Sequence, residues 1–324
     1  MRNTVLYGAL FCALAAPALG GTALPAVFEA ERVYVMPRTA GGETLKLYTD
    51  TGGGFLLGAE AAKRLHLATK PLDDPEAKAE LGPEAGQTAF PAFAQGEPTP
   101  APKQSHVSVL PKMAQLPGWP TQGDGILGEH WFGGHIWTWD YPGRKFILED
   151  ADFIAPKDAR PVSLGFKTDA DGNRQTNFPR IVVTIDGADV PLLLDTGAET
   201  YLTPKALNAL NDGGPQFRAT SMIAASLFDA WHARHPDWRV IEDAQTGTHA
   251  AMIEVPRVTV AGTGIGPVWF VKRADANFHK VMSAMMSGRV EGSIGGNALG
   301  HFRMTIDYPR ATAWFVCVKG CGGN

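Results

Sequence analysis

Two Asp-Thr-Gly triplets, Asp50-Thr51-Gly52 and Asp195-Thr196-Gly197, are the residues of this chain whose types and repetition could do chemistry. At average residue usage one such triplet arises by chance in roughly one chain of this length in fifteen. Two, each closing an apolar strand-like run at matching places in a repeat, are not explained that way. An aspartate at the end of a strand enters a tight turn, where the next hydroxyl can bond backbone of a facing turn. Glycine, having no Cβ, lets backbone approach the carboxylate and donate an N–H to it. If two such turns meet across a pseudo-twofold axis, both carboxylates cannot ionise together and must share a proton. A pair with one acid and one base can take a proton from water and give one to a carbonyl oxygen. That is amide hydrolysis with neither metal nor covalent intermediate.

The elements that must position the triplets are written twice. In the first copy Arg32 to Met36 alternates, a turn follows at Arg38 to Gly42, and Thr44 to Thr49 alternates again into Asp50. In the second, Ile181 to Ile185 is apolar, Asp186-Gly187 supplies a two-residue hairpin turn, and Val190 to Leu194 runs into Asp195. A short helix is signalled after each, by Ala59 to Leu67 and by Thr203-Pro204 as N-cap and first helical residue. Each copy then closes on a shared stretch: Gly125-Ile126-Leu127-Gly128 with Asp140-Tyr141-Pro142, against Gly292-Ser293-Ile294-Gly295 with Asp307-Tyr308-Pro309. From catalytic-type aspartate to closing aspartate the copies span 90 and 112 residues. The extra length is assigned to an inserted helix over Ser221 to Trp238, and Pro71 to Lys103 reads as a long surface loop.

The chain has 324 residues, of which 44% are hydrophobic and 19% charged, with a formal net charge of -4. That composition excludes a disordered protein and argues against a nucleic-acid partner, which would require a basic surface. Gly 37 and Pro 24 together make about 19% of the chain, against a usual level of roughly 12%, so turns are frequent and β structure is favoured. Residues 1–20 read as a secretory signal peptide, with Arg2, an apolar run from Val5 to Leu19 and small residues up to Gly20. The run contains Pro17 and is short for a bilayer span, so no stable membrane span is expected after cleavage. Phe11 before Cys12 disfavours lipid anchoring. The expected organisation is an N-terminal lobe over 21–155 containing Asp50 and a C-terminal lobe over 156–324 containing Asp195. The boundary falls in the Pro-flanked stretch Asp150 to Val162. Cys317 and Cys321 are read equally as a small disulfide or two free thiols.

These features resemble the retropepsin-like and pepsin-like aspartic proteases, in the bacterial-type arrangement with both triplets on one chain. The resemblance covers nearly all of the expected mature chain. It implies an all-β fold with short helices, in two pseudo-symmetric barrel-like lobes. It implies an aspartic-type endopeptidase in which Asp50 and Asp195 activate water, with no cofactor or metal and a peptide or protein substrate. Thr51, Gly52, Thr196, Gly197 and Ala198 would support the site. So would Ile126, Leu127, Gly128, Ile294 and Gly295, because in that family the apolar-apolar-Gly segment threads beneath the catalytic loop. Ala62 to Leu67 looks like the helix that follows that loop in bacterial members.

Three departures stand out. Gly53 and Ala198 follow the triplets, where pepsin-like enzymes place a hydroxyl beside the outer carboxylate oxygen; Ala198 matches the retroviral type. No tyrosine lies between Tyr48 and Tyr141 to serve on a flap, leaving Phe90, Phe93 or the stretch Gln245 to Ala250 as covers. No acidic propeptide is evident, since the short Gly21 to Phe28 stretch could hardly occupy a cleft; within the motif match itself, Ser293 replaces the first apolar residue of the second Gly segment. The alternative function is therefore a weak or inactive protease-like module that binds peptides in the cell envelope. A monomer is expected, because one chain supplies both aspartates, in an exported, periplasmic or secreted protein.

Other features carry structural readings. Asp140 and Asp307 are turn starters. His130 with His135, and His232 with His235, are spaced for no helical metal face. Gly262 to Gly266 is a hairpin turn between Val258 to Ala261 and Val268 to Val271. Trp119, Trp131, Trp137 and Trp139 either line a cleft or fill the core, and core is favoured.

Overall fold

The computed structural model describes residues 20–322 except 115, 117 and 122. The expected signal peptide, with Cys12, lies outside the described residues apart from Gly20. The fold is almost entirely β, in two lobes, with short helices. The strand order around each triplet is the same in both. In the first lobe Arg32–Val35 pairs antiparallel with Leu47–Thr49. Gly125–Leu127 lies parallel to Leu47–Thr49, Leu56–Gly58 antiparallel to Gly125–Leu127, and His106–Leu110 parallel to Leu56–Gly58. In the second lobe Arg180–Ile185 pairs antiparallel with Ala188–Leu194. There Gly292–Ile294, Ser221–Ala224 and Val268–Arg273 follow with the same alternation of parallel and antiparallel contacts.

Local chemistry accounts for the turns. Asp186 (φ 53°) and Gly187 (φ 73°) both occupy the left-handed region that a tight two-residue hairpin requires. The Thr203 hydroxyl accepts from the Ala206 N–H, with Pro204 at the first helical position. Asp140 and Asp307 each accept a backbone N–H three residues on, from Gly143 and Arg310, as turn starters do. Gly128 and Gly295 end the threaded strands where any Cβ would lie 2.1 Å from the Gly53 carbonyl and 1.9 Å from the Thr220 carbonyl. Only glycine lets those strands run so close to their neighbours.

A third sheet joins the halves. Its order is Thr22–Ala23, Lys145–Glu149, Ile136–Asp140, Phe302–Asp307, Thr312–Cys317 and Arg160–Ser163, so the two closing Asp-Tyr-Pro strands pair directly, Thr138 opposite Thr305. Its apolar side is the centre of the main core. Trp131, Trp137, Trp139, Phe132 and Phe146 pack there, with Trp137 stacked on Phe146 at 5.2 Å between ring centroids. The tryptophans thus fill core, and Trp119, also buried, donates Nε1–H to the Thr246 carbonyl at 2.7 Å. Cys317 and Cys321 form a disulfide.

Three expectations are corrected. Ser221–Ala224 is a sheet strand, and the helix is confined to Ala225–Arg234, with Trp238 beyond its end. By position in the sheet, Ser221–Ala224 and Ala225–Arg234 correspond to Leu56–Gly58 and Ala59–Arg64. The true insertion is the preceding hairpin and helix, with strands Glu199–Tyr201 and Phe217–Ala219 flanking Pro204–Leu210. The matching strand starts 6 residues after Asp50 but 26 after Asp195. The stretch Pro71 to Lys103 is not one loop, since it holds the helix Pro75–Leu81 and the strand Gly86–Ala89. The turn at Ala261-Gly262 joins Val258–Val260 to a separate strand, Thr263–Ile265, whose other neighbour is Cys321–Gly322.

The insertion braces one lobe on the other. Arg32 lies 3.8 Å above the Phe217 ring and 3.7 Å from buried Glu199, and the Ala219 N–H donates to the Ala30 carbonyl. Trp137 is fully buried in the sheet the halves share. Trp137→Ala should cost about 3–5 kcal/mol in urea unfolding. A loss below about 1 kcal/mol would show that this sheet does not anchor the fold.

Candidate active site

The two triplets meet. Thr51 and Thr196, both fully buried, are locked to each other's turns. The Thr51 N–H donates to Thr196 Oγ1 at 3.1 Å and the Thr196 N–H to Thr51 Oγ1 at 3.0 Å. Each hydroxyl then donates onward, Thr51 to the Leu194 carbonyl at 2.6 Å and Thr196 to the Thr49 carbonyl at 2.9 Å. Every bond in the set crosses between lobes. A hydroxyl is the one short side chain that can accept from an amide and donate to a carbonyl at once.

The lock sets the carboxylates side by side. Gly52 N–H donates to Asp50 Oδ1 at 2.9 Å and Gly197 N–H to Asp195 Oδ1 at 3.0 Å. The glycines also cross over: a Cβ on Gly197 would lie 2.0 Å from Asp50 Oδ1, and one on Gly52 would lie 2.8 Å from Asp195 Oδ1. Each missing side chain therefore makes room for the opposite acid. Gly53 has the same character, since a Cβ there would fall 2.3 Å from Asp50 Oδ2. The absent hydroxyl at that position goes with an Asp50 carboxylate that fills its space.

Electrostatics separate the two acids. Burial pushes the Asp50 carboxyl well above the usual carboxylate range, and the neighbouring Asp195 and Glu199 charges push it further. Burial also raises Asp195, but the Gly197 N–H, Ser293 and Ala198 N–H oppose that rise. The hydrogen bond between the two carboxyls raises Asp50 and lowers Asp195, so the shared proton sits on Asp50. The Ser293 hydroxyl is buried and falls short of full hydrogen-bond geometry to any described group, yet its dipole favours the ionised Asp195. It arrives from the threaded strand, opposite Leu193 in register, where the first lobe places Ile126 opposite Tyr48. The residue that broke the apolar pattern thus supplies the second lobe with a polar group that Ala198 lacks.

The remaining expected residues support the site from below. Ile126 and Leu127 are buried in the strand beside the Asp50 strand, and Leu127 O accepts the Asp50 N–H at 3.0 Å. Ile294 O accepts the Asp195 N–H at 2.9 Å, and the Gly295 N–H donates to Ser221 Oγ.

A cleft of roughly 380 Å³ opens over the dyad, within the usual range for small-ligand sites. Both aspartates lie in its floor, and its wall is built by Met222, Arg273 and the π-helix Asn277–Met282. The covers expected from sequence do not line it. Phe90 packs on Phe55 and Phe93 on Phe90, and Gln245 is fully buried beneath Arg273. Nothing in the local pattern of residues 273–282 announced this wall, because its placement depends on the strand Val268–Arg273 ending beside Ser221–Ala224, the strand that pairs with the threaded Gly292–Ile294. The histidines serve local contacts: His130 pairs with Glu129 and His235 with Asp186.

No protein-family model matches the chain, and no curated protein is similar to it. Among solved structures it is similar to the aspartic proteinase from Irpex lacteus, with 9% identity, 93% of this chain and 98% of that chain covered, and a TM-score of 0.48. That likeness is too low to bear weight beside the topology and site geometry.

Because folding raises the dyad's affinity for protons, the native state binds more protons than the unfolded chain above about pH 4, and stability falls as pH rises from there until the pair ionises in the native state. Asp50→Asn should therefore be more stable than wild type at pH 7, with the difference vanishing near pH 4. Equal melting curves at both pH values would refute the raised carboxyl. Thr51→Val strands the Leu194 carbonyl and the Thr196 N–H in the core, and should cost about 2–4 kcal/mol of unfolding free energy.

Proposed function

We propose that the chain is an aspartic-type endopeptidase of the pepsin-like and retropepsin-like kind, hydrolysing peptide bonds with water activated between Asp50 and Asp195. The observation that carries this reading is the reciprocal dyad. Two carboxyls from different lobes are held face to face by the Thr51–Thr196 lock, each filling the space that glycine leaves in the opposite turn, and their differing surroundings favour the proton on Asp50 and the charge on Asp195.

The roles follow from that asymmetry. Asp195, the more open of the two and the one facing Ser293 and two backbone N–H groups, takes a proton from water as the water oxygen attacks the scissile carbonyl carbon. Asp50 gives its proton to the carbonyl oxygen, so a neutral tetrahedral diol forms without a free oxyanion. Collapse of the diol breaks the C–N bond. The proton on Asp195 passes to the leaving nitrogen, and one diol hydroxyl returns its proton to Asp50, restoring the starting state. Thr51, Thr196, Gly52 and Gly197 hold the carboxyls in register throughout. Ile126, Leu127, Gly128, Ile294 and Gly295 fix the strands beneath them.

The protein acts as a monomer exported through its N-terminal segment. Among the described residues no helix is long and apolar enough to cross a membrane. Purified chain incubated with a mixed peptide library between about pH 3 and 7 should cleave, and Asp195→Asn should lower turnover by roughly 10³-fold or more. Cleavage surviving that variant would reject the mechanism, and inertness of the wild type with retained peptide binding would favour the binding-module reading. Activity requires one ionised carboxylate, so it rises with pH on the acid side. Ser293→Ala removes a group that favours that ion, and should move the acid limb up by roughly 0.5–1 pH unit. An unmoved limb would deny Ser293 its part.

A further inference from the structure

The wall of the cleft contains a cation, Arg273, that forms no ion pair with any of the described carboxylates. Arg273 ends the strand Val268–Arg273, opposite Ala224 in register, and lines the same cavity as Asp50 and Asp195. Its Nη1 donates to Gln245 Oε1. Gln245 is fully buried and itself held, donating Nε2–H to Thr200 Oγ1 at 3.1 Å and accepting from Thr248 Oγ1 at 2.7 Å. The guanidinium is thus anchored by a neutral amide on one side, and among the described residues no carboxylate lies within ion-pairing distance of it. The acids nearby are committed elsewhere. Asp229 pairs with Lys272 at 2.6 Å, Glu291 with His279 and Arg289, and Asp275 accepts the Ser226 N–H and faces His279.

Arg273 is half-buried, and a guanidinium partly withdrawn from water without an anionic partner bears a cost that is recovered when a carboxylate is brought to it. Burial alone pushes its pKa down, to about 10, which leaves it fully charged at any pH the dyad would work. Its planar fork suits two parallel N–H···O bonds to a carboxylate. Beside Arg273 the wall presents apolar Met222, Phe278, Val281 and Met282 together with the neutral amide of Asn277. Resting on the peptidase reading of the dyad, we infer that Arg273 is a specificity-determining residue that selects peptides carrying a carboxylate close to an apolar residue at the scissile bond. The carboxylate is supplied either by an acidic side chain or by a free C-terminus.

Matched peptides test this and separate the two sources. One set is blocked at both ends and carries Glu or Gln at each of two positions on either side of an apolar pair. The other has no internal acid and ends in a free carboxylate or an amide. Rates are read on wild type, Arg273→Gln and Arg273→Lys, and binding of the same peptides is read on Asp195→Asn, where no cleavage is expected. The carboxylate member of at least one set should be favoured about tenfold to hundredfold in kcat/KM by wild type, falling to within about twofold in Arg273→Gln and to an intermediate value in Arg273→Lys. Preference in the first set alone assigns an acidic side chain, and in the second alone a terminal carboxylate. Cleavage without any carboxylate preference in wild type overturns the inference and leaves the peptidase reading intact, and needs no folded variant. A preference that persists in Arg273→Gln also overturns it. Carboxylate-dependent binding without cleavage by wild type supports the recognition site and removes the peptidase reading. Neither cleavage nor binding removes both.

Discussion

The structure turns on four hydrogen bonds that join Thr51 and Thr196 across the lobe boundary. Each threonine satisfies a backbone group of the other lobe that burial would otherwise leave unpaired, an omission costing about 1–3 kcal/mol apiece. These groups take their partners from the opposite lobe, so the two Asp turns are fully satisfied only when the lobes are docked. The chemistry that needs both acids and the fold that needs both lobes therefore depend on the same few atoms.

Around that lock, the site accepts an electrostatic cost. Two carboxyls are placed where they cannot both be charged, with buried Glu199 adding to the negative field and Arg32 answering it from the opposite lobe. The cost is contained by asymmetry. Asp195 keeps the groups that favour an anion, and Asp50 keeps the proton. The inserted hairpin and helix, 199–219, carry Glu199 and the Phe217 face on which Arg32 rests, so the second lobe's extra length serves docking.

The strands, hairpins and threaded Gly segments were readable because their signals are local. Asp186-Gly187 demands a tight turn, Thr203-Pro204 demands a helix start, and alternating apolar residues demand a buried strand face. The misreadings share one cause. Ser221 to Trp238 reads as one helix because the first four residues carry no mark of their antiparallel partner Gly292–Ile294, some seventy residues away. Phe90 and Phe93 read as cleft covers because loop aromatics over a cleft are indistinguishable in sequence from a row that packs sideways, Phe93 on Phe90 and Phe90 on Phe55.

Sequence alone determined that two aspartates lie in equivalent turns, that glycine must follow each, and that the chain is duplicated, since each of these is a matter of residue type at short range. Tertiary structure alone decided that the turns face each other, that Ser293 stands beside Asp195, that the π-helix Asn277–Met282 walls the cleft, and that Arg273 stands there with no ion-paired carboxylate among the described residues. Those facts depend on which distant strands pair and on what each side chain lacks as a neighbour, and neither is written in the spacing of residues along the chain.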